Sequence, residues 1–419
     1  MTDSIKQTIP DVTVDIKALT LSALGLLITS IGYAAGRSGN YSHLAVEIFF
    51  VGLTLSFSPL CYSVLRNEKV AKLPTLKWLG AILFLSVFFL NPMLPDGFDE
   101  LLHQTTLWQI SYFHTLNVSN TLLPISPNYP GLESATLFIR KFTGLPFNLS
   151  ICVLLFLARL LLIDAIFRFV NCVTSNEAMS TVAVLAYMGS PQFYSFNAGY
   201  SYETLAISLG AQAVALAVCA IRRGLPRKNY FLPLLLTMAT IVTHHIVGLA
   251  TVGALLCLYL YLVIRRGSKS LGGLGVLVML STAFLTLWTA ISFHQLYTYL
   301  QPIFSSAIKS LGSLFTLGSS QRTLFHGASG IATPLPEELM MLVAAGLWCV
   351  LIAYSIFSRP WRQEGVISIR YFFPIVVIAA LLPFTLIARL APLTAEVAGR
   401  STTFVFFGVA VLVGAASIK

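Results

Sequence analysis

Twelve long apolar runs, a charged fraction of only 10% and a mean hydropathy of +0.82 predict an all-α polytopic membrane bundle. A soluble globular domain carries about 25% charged residues, so this chain has too few to cover a water-facing surface. A hydrocarbon core takes about 20 apolar residues per helix. Runs near that length lie at 18–36, 42–65, 76–93, 147–170, 178–196, 202–221, 229–244, 246–264, 272–293, 337–357, 371–389 and 399–417. They make 18–419 one multi-pass domain of about 12 transmembrane helices behind a polar cytoplasmic tail at 1–17. The first run lacks a clear cleavage site and reads as a retained helix rather than a signal peptide.

The basic residues orient the bundle. With the N-terminus in the cytoplasm, 18 of the 26 Lys and Arg fall inside, seven fall outside and Arg159 lies within a span. The seven histidines were not used in that count, yet all fall outside or at outer span ends. Any proton-transfer or metal chemistry is therefore expected on the outer side. The net charge of +10 sits in short clusters between apolar runs, where topology would place it, and does not point to nucleic acid. Six cysteines lie within or at the ends of runs without a CxxC pair, which indicates neither a disulfide framework nor a zinc site.

Two outer loops are long, at about 94–146 and 294–336. Loops of that length are usually functional or disordered, and the first is too aromatic to be disordered. From Asp99 to Phe113 it reads as an interfacial helix, with Leu101, Leu102, Leu107, Trp108 and Ile110 able to face lipid or protein.

That loop carries the strongest constellation, Asp96-Gly97-Phe98-Asp99-Glu100-Leu101-Leu102-His103. Helical spacing puts Asp99 and Glu100 on a face shared with His103. An acidic cap on a helix dipole explains one carboxylate; three carboxylates and an imidazole suit a general base, with Asp99 and Glu100 able to share a divalent cation such as Mg or Mn. Asn128-Tyr129-Pro130-Gly131-Leu132-Glu133 reads as a turn into a short helix, and as a second wall with Tyr129 and Glu133. Tyr202 and Glu203 open a span on the same side, and Thr243-His244-His245 lies where two spans meet. Such polar groups amid apolar surroundings are costly and often functional, although interhelical hydrogen bonding is the bland alternative. Arg400 either pairs with Glu396 four residues earlier or clamps a phosphate, which its planar fork suits. Glu47 and Asp164 are candidates for buried function, Asp164 with Arg168 or Arg159 as its ordinary partner.

Phe98-Asp99-Glu100 followed by His103 resembles the Asp-Glu pair in a long outer loop of the GT-C class of membrane glycosyltransferases. That class includes the protein mannosyltransferases and bacterial transferases that use polyprenyl-phosphate sugars. Tyr129-Pro130-Gly131, Thr243-His244-His245 and Gly399-Arg400 resemble patterns in its uncharacterised bacterial members. In that class the Asp-bearing loop usually follows the first span; here it follows the third, as if two helices had been added in front.

The resemblance implies a multi-pass enzyme of the plasma (inner) membrane and cell envelope, with its site on the outer side. It moves a sugar from a polyprenyl phosphate to a glycan, lipid or protein acceptor by an inverting single displacement. Asp99 is the expected general base; Glu100 and His103 orient the acceptor or hold a metal; Arg400 with His244 or His245 stabilises the departing polyprenyl phosphate. Asp96, Tyr129, Glu133, Tyr202 and Glu203 complete the substrate site. A lipid donor also accounts for the lack of a GxGxxG or Walker sequence. A polysaccharide polymerase or ligase using a lipid-linked glycan is the nearest rival. A secondary transporter is the rival from another class, but it would place ionisable groups near the midplane on broken helices.

Overall fold

The computed structural model describes residues 14–38, 43–90, 98–194, 196–266, 272–315, 325, 333–358, 369–389 and 394–417. Asp96 and, in the second long loop, residues 316–324 and 326–332 (His326 among them) lie outside these residues, as does the side chain of Glu396; the first half of that expected loop is helical, Phe293–Phe315. Every regular element described is helical, and the chain divides into two compact units, Met1–Asn91 and Pro92–Lys419.

The first unit holds α1 (Ile16–Arg37), α2 (His43–Arg66) and α3 (Lys72–Phe88). Asp15 starts α1 by accepting the Ala18 N–H at 3.1 Å and the Ser63 hydroxyl at 2.9 Å, and these bonds lower its carboxyl pKa. Small residues let the backbones of α1 and α2 meet. A Cβ on Gly25 would run into the backbone at Ser56, and one on Gly52 into the backbone at Thr29. Without a hydrophobic force between helices in lipid, such close approach and hydrogen bonds across it hold the pair. Thr29 Oγ1 and Ser56 Oγ lie 3.3 Å apart, and Ser30 Oγ donates to the Ser86 carbonyl of α3 at 3.1 Å. Glu47 is exposed on α2, not buried as expected, because its helical position faces away from the Gly25–Gly52 seam.

The second unit comprises α4 (Phe98–Phe113), α5 (Gly131–Thr143), α6 (Phe147–Thr174), α7 (Glu177–Met188), α8 (Pro191–Tyr194), α9 (Tyr202–Arg222), α10 (Phe231–Thr243), α11 (His245–Arg266), α12 (Gly272–Ile291), α13 (Phe293–Phe315), α14 (Leu335–Phe357), α15 (Ile369–Ala388) and α16 (Ala395–Ala416). Helix α6 packs against α7 and α9, and α16 packs against α7 and α15. The helix expected at Asp99–Phe113 is α4, which buries Leu102, Leu107 and Ile110 and exposes Leu101 and Trp108.

Between α6 and α9, Gln212 Nε2 donates to Asp164 Oδ2 at 3.2 Å, Asp164 also pairs with Arg168, and Cys172 is disulfide-bonded to Cys219. These contacts advance together along both helices, so α6 and α9 run parallel. The disulfide corrects the expectation of none. Parallel helices bring side chains 47 residues apart to a Cα separation of 5.3 Å, which sequence spacing does not encode.

Eight helices, not about twelve, are long and apolar enough to cross a bilayer among the described residues. They are Ile16–Gly36, His43–Arg66, Phe147–Thr174, Tyr202–Arg222, His245–Ile264, Gly272–Ile291, Leu335–Phe357 and Val397–Ala416. The runs at 76–93, 178–196 and 229–244 became helices of 17, 12 and 13 residues, and that at 371–389 contains the shorter apolar stretch Pro374–Ala388. At about 1.5 Å per residue, a helix of 12 or 13 residues falls well short of a core about 30 Å thick. Helix α7 stops at Gly189, just before Pro191, and α10 stops where His244 turns extended at φ −154° and ψ 127°. Hydropathy counts apolar residues, whereas the backbone leaves the helix where it finds other partners.

The Gly25–Gly52 seam is testable. Gly52→Val should destabilise the first unit by about 1–3 kcal/mol, the usual cost of overpacking. Unfolding in mixed micelles measures it, and an unchanged midpoint would show that the seam is not closely packed.

Candidate functional site

The second unit gathers at one place the ends of α4, α5, α9, α10, α11 and α16. The gathering depends on a break in regular structure. After α7 the chain makes the short α8 and a single 3-10 turn at Phe196–Ala198 before α9 begins at Tyr202. Ser190, Phe193, Asn197, Ala198, Tyr200 and Ser201 along this stretch are buried. Buried backbone outside a helix must find partners. Arg159, from the middle of α6, gives Nη2 to the Phe193 carbonyl and to that of Tyr194 at 3.4 Å, with its guanidinium over the Phe193 ring. Glu100 Oε1 accepts the Tyr200 N–H at 2.6 Å, and Thr204 Oγ1 donates to the Phe196 carbonyl at 3.2 Å. Ser201 then caps α9 through the Thr204 N–H.

That arrangement sets the charged centre. Arg400 on α16 pairs through Nη2 with Asp99 Oδ2 on α4, 301 residues away in sequence. Its Nη1 lies 3.5 Å from Glu203 Oε2, and its guanidinium sits 5.5 Å from the Phe196 ring. Arg400 and Asp99 keep 30% and 39% of their side-chain surface open, whereas Glu203 keeps 5%. A ligand can therefore reach the Asp99–Arg400 pair, with Glu203 beneath it.

A closed layer lies beside this open pair. His103 Nδ1 is 2.8 Å from Glu133 Oε1, with both side chains almost fully buried. The His103 ring meets Tyr202 edge-on at 4.5 Å, Tyr202 lies 4.4 Å from His244, and His244 stacks on His245 at 4.6 Å. The Val247 N–H donates to His244 Nδ1 at 3.1 Å, so the neutral ring carries its proton on Nε2. His245 is buried among Tyr129, Tyr202, His244 and Tyr299, and neither ring nitrogen has a hydrogen-bond partner among the described residues.

The Tyr129 turn is fixed locally. Trp288 Nε1 donates to the Asn128 carbonyl at 3.1 Å, and Gly131 lies so close to Thr243 that a Cβ would collide with it. Burial pushes the Tyr129 phenol up to about 12, so it acts as a neutral hydroxyl rather than a base. The Tyr200 phenol, 2.9 Å from Thr136 Oγ1, is likewise held well above its ordinary value by burial.

The structure thus brings together Asp99, Glu100, His103, Tyr129, Glu133, Tyr202, Glu203, His244, His245 and Arg400, while Asp96 lies outside the described residues. Their partners refine the expectations. Glu100 turns to backbone and Asp99 to Arg400, and among the described residues no three His, Cys, Asp or Glu side chains form a metal-holding group. His103 is sealed against Glu133. Sequence reasoning missed Arg389, Gln192, Phe196 and Tyr299, all near this centre; only the apolar run shared by Arg389 and its neighbours was visible.

No protein-family model matches the chain, and no curated protein matches it either. The site's own geometry is the ground for a functional reading.

The buried pair gives a direct test. A double-mutant cycle of His103→Ala and Glu133→Ala should return a coupling of roughly 1–3 kcal/mol, since each single change strands a buried polar group. Additive effects would show that the two side chains do not act together.

Proposed function

We propose that the chain is a membrane glycosyltransferase that moves a sugar from a polyprenyl-phosphate donor to an acceptor hydroxyl on the non-cytoplasmic face of the membrane. The observation that carries this reading is the solvent-open Asp99–Arg400 pair, seated over Glu203 at the meeting point of several helix ends. It offers a carboxylate for a proton and a guanidinium for a phosphate in direct contact, as transfer from a sugar phosphate requires. The resemblance of Phe98-Asp99-Glu100 to the GT-C pattern adds to it.

In this mechanism the donor phosphate competes with Asp99 for Arg400. Once released, the Asp99 carboxylate accepts the proton of the acceptor hydroxyl as its oxygen bonds the anomeric carbon with inversion. The bond from that carbon to the phosphate oxygen breaks, and polyprenyl phosphate leaves with the negative charge facing Arg400. Glu100 holds the Tyr200 backbone, and His103 with Glu133 supports Tyr202, so these residues position the site rather than react. Asp99 and Glu203 meet at the Arg400 guanidinium rather than at a group of three metal-ligating side chains among the described residues, and no step is routed through a divalent cation.

A secondary carrier is the second reading, favoured by the two breaks in buried backbone at 189–201 and at His244 and by Arg159 inside α6. Broken helices of this kind surround the sites of many transporters.

Labelled sugar transfer from a panel of polyprenyl-phosphate donors separates the two. Asp99→Asn should lower turnover by about 10²–10⁴-fold, the usual worth of a general base, while expression and folding persist. Near-normal turnover would remove Asp99 as the base. Arg400→Ala should mainly weaken donor dependence. No release of polyprenyl phosphate from any donor, together with counterflow of a solute in proteoliposomes, would favour the carrier.

A further inference from the structure

A helix that packs on a protein in water turns its apolar face inward. Helix α5 is built the other way round. Its buried residues are Leu132, Glu133 and Thr136, and two of the three are polar. Glu133 meets His103, while Thr136 donates to the Leu132 carbonyl and lies 2.9 Å from the Tyr200 hydroxyl. Its largest apolar side chains are on the outside. Phe138 and Phe142, one turn apart, are 69% and 82% exposed, and their rings stack at 5.9 Å. With 13 residues, α5 is too short to cross a bilayer itself.

The aromatic face adjoins the start of a span. Gly144, at φ +73°, ends α5, and Phe147 opens α6, which is long and apolar enough to cross a membrane. The Arg140 guanidinium lies over the Phe147 ring at 3.9 Å, and Trp108 of α4 lies 4.5 Å from the same ring. Both helices therefore meet α6 where it enters the bilayer. On α4 the exposed surface continues through Leu101, Trp108 and Tyr112, which share one face at steps of seven and four residues. The accessible charge on α5 is of one sign. Lys141 is exposed beside Phe142, whereas Glu133, the one acidic residue of the helix, is buried.

We propose that α5, together with the Trp108–Tyr112 face of α4, docks on the bilayer surface at the end where α6 begins, with Phe138 and Phe142 among the lipids and Lys141 on an anionic phospholipid headgroup. A helix of this kind lies in the plane of the interface with its apolar face sunk about 5–10 Å. Aromatic rings concentrate at that depth, and a lysine beside them is drawn to anionic lipid. Continuity with the entry point of α6 is what selects lipid over a protein partner. Because α5 also carries Glu133, the partner of His103, the docked helix ties the site to the membrane surface. The docking does not depend on the transferase reading.

A fluorescent coumarin amino acid in place of Phe142, in the full-length chain reconstituted in bilayers, tests this by quenching. The position is exposed, so the label leaves the interior packing alone. Brominated phosphatidylcholine and brominated phosphatidylglycerol report lipid contact, and aqueous iodide reports water. The same label at Leu157, exposed within the α6 span, gives the value for full lipid contact. At position 142 both lipids should quench, phosphatidylglycerol the more strongly, and iodide should have little effect. Lys141→Gln should lower the preference for phosphatidylglycerol by about fivefold, the worth of one cation near an anionic surface, and Lys141→Arg should keep it. Quenching by iodide alone would put the helix in water and overturn the docking. Protection from lipid and iodide together would show that a second copy or a protein partner covers the face, and would overturn it too. Equal quenching by the two lipids, unchanged in Lys141→Gln, overturns the anionic headgroup. None of these results requires sugar transfer, so the docking and the transferase stand or fall separately.

Discussion

Backbone that leaves regular helix inside an apolar protein must still find hydrogen-bond partners, and the stretch 190–201 is where the second unit meets that demand. Two charged side chains from distant helices meet it together. Arg159 reaches from α6 to the Phe193 and Tyr194 carbonyls, and Glu100 reaches from α4 to the Tyr200 N–H. Because Glu100 is bound there, its neighbour Asp99 is placed against Arg400, and because α9 starts at Tyr202, Glu203 lies beneath that pair. A demand of the backbone thereby assembles a charged site. The unsatisfied alternative, costing several kcal/mol per buried group in a medium without water, holds this segment to its shape.

The polar groups of the site divide by exposure, and the division separates their roles. Asp99 and Arg400 are open and can exchange partners with a ligand. His103 and Glu133 are closed, and their hydrogen bond holds α4 against α5. Between them runs a continuous set of rings, from His103 through Tyr202 to His244 and His245, ending at Tyr129 and Tyr299. Aromatic and imidazole rings fill volume as apolar residues do while keeping a polar edge. Such a layer lets charged groups sit beside an apolar interior without opening it to water.

Much of the site could be read from the chain because helix periodicity and cost arguments are local. Asp99 and Glu100 were legible as an acidic start to a helix, Tyr202 and Glu203 as the start of a span, and His244-His245 as a break between apolar runs. Partner choice was not. Arg400 was expected with Glu396 or with phosphate; it meets carboxylates from α4 and α9, and the Glu396 side chain lies outside the described residues. Asp164 was legible with Arg168, since four residues along a helix bring two side chains together, but a further partner, Gln212, came from another helix. Helix length was hidden for the same reason: hydropathy sees that α7 and α10 are apolar but not that each ends after little more than three turns.

What the sequence by itself determined is the solvent this chain is built for. With 10% charged residues and apolar runs along most of its length, only a helical membrane architecture satisfies its backbone and covers its surface. It also determined which residue types were costly enough to need a reason. The tertiary structure alone decided which of them meet: the Cys172–Cys219 bond and the Glu203–Arg400–Asp99 centre. Those contacts join residues tens to hundreds of positions apart. Their geometry depends on how helices pack in three dimensions, and no local pattern in the chain records it.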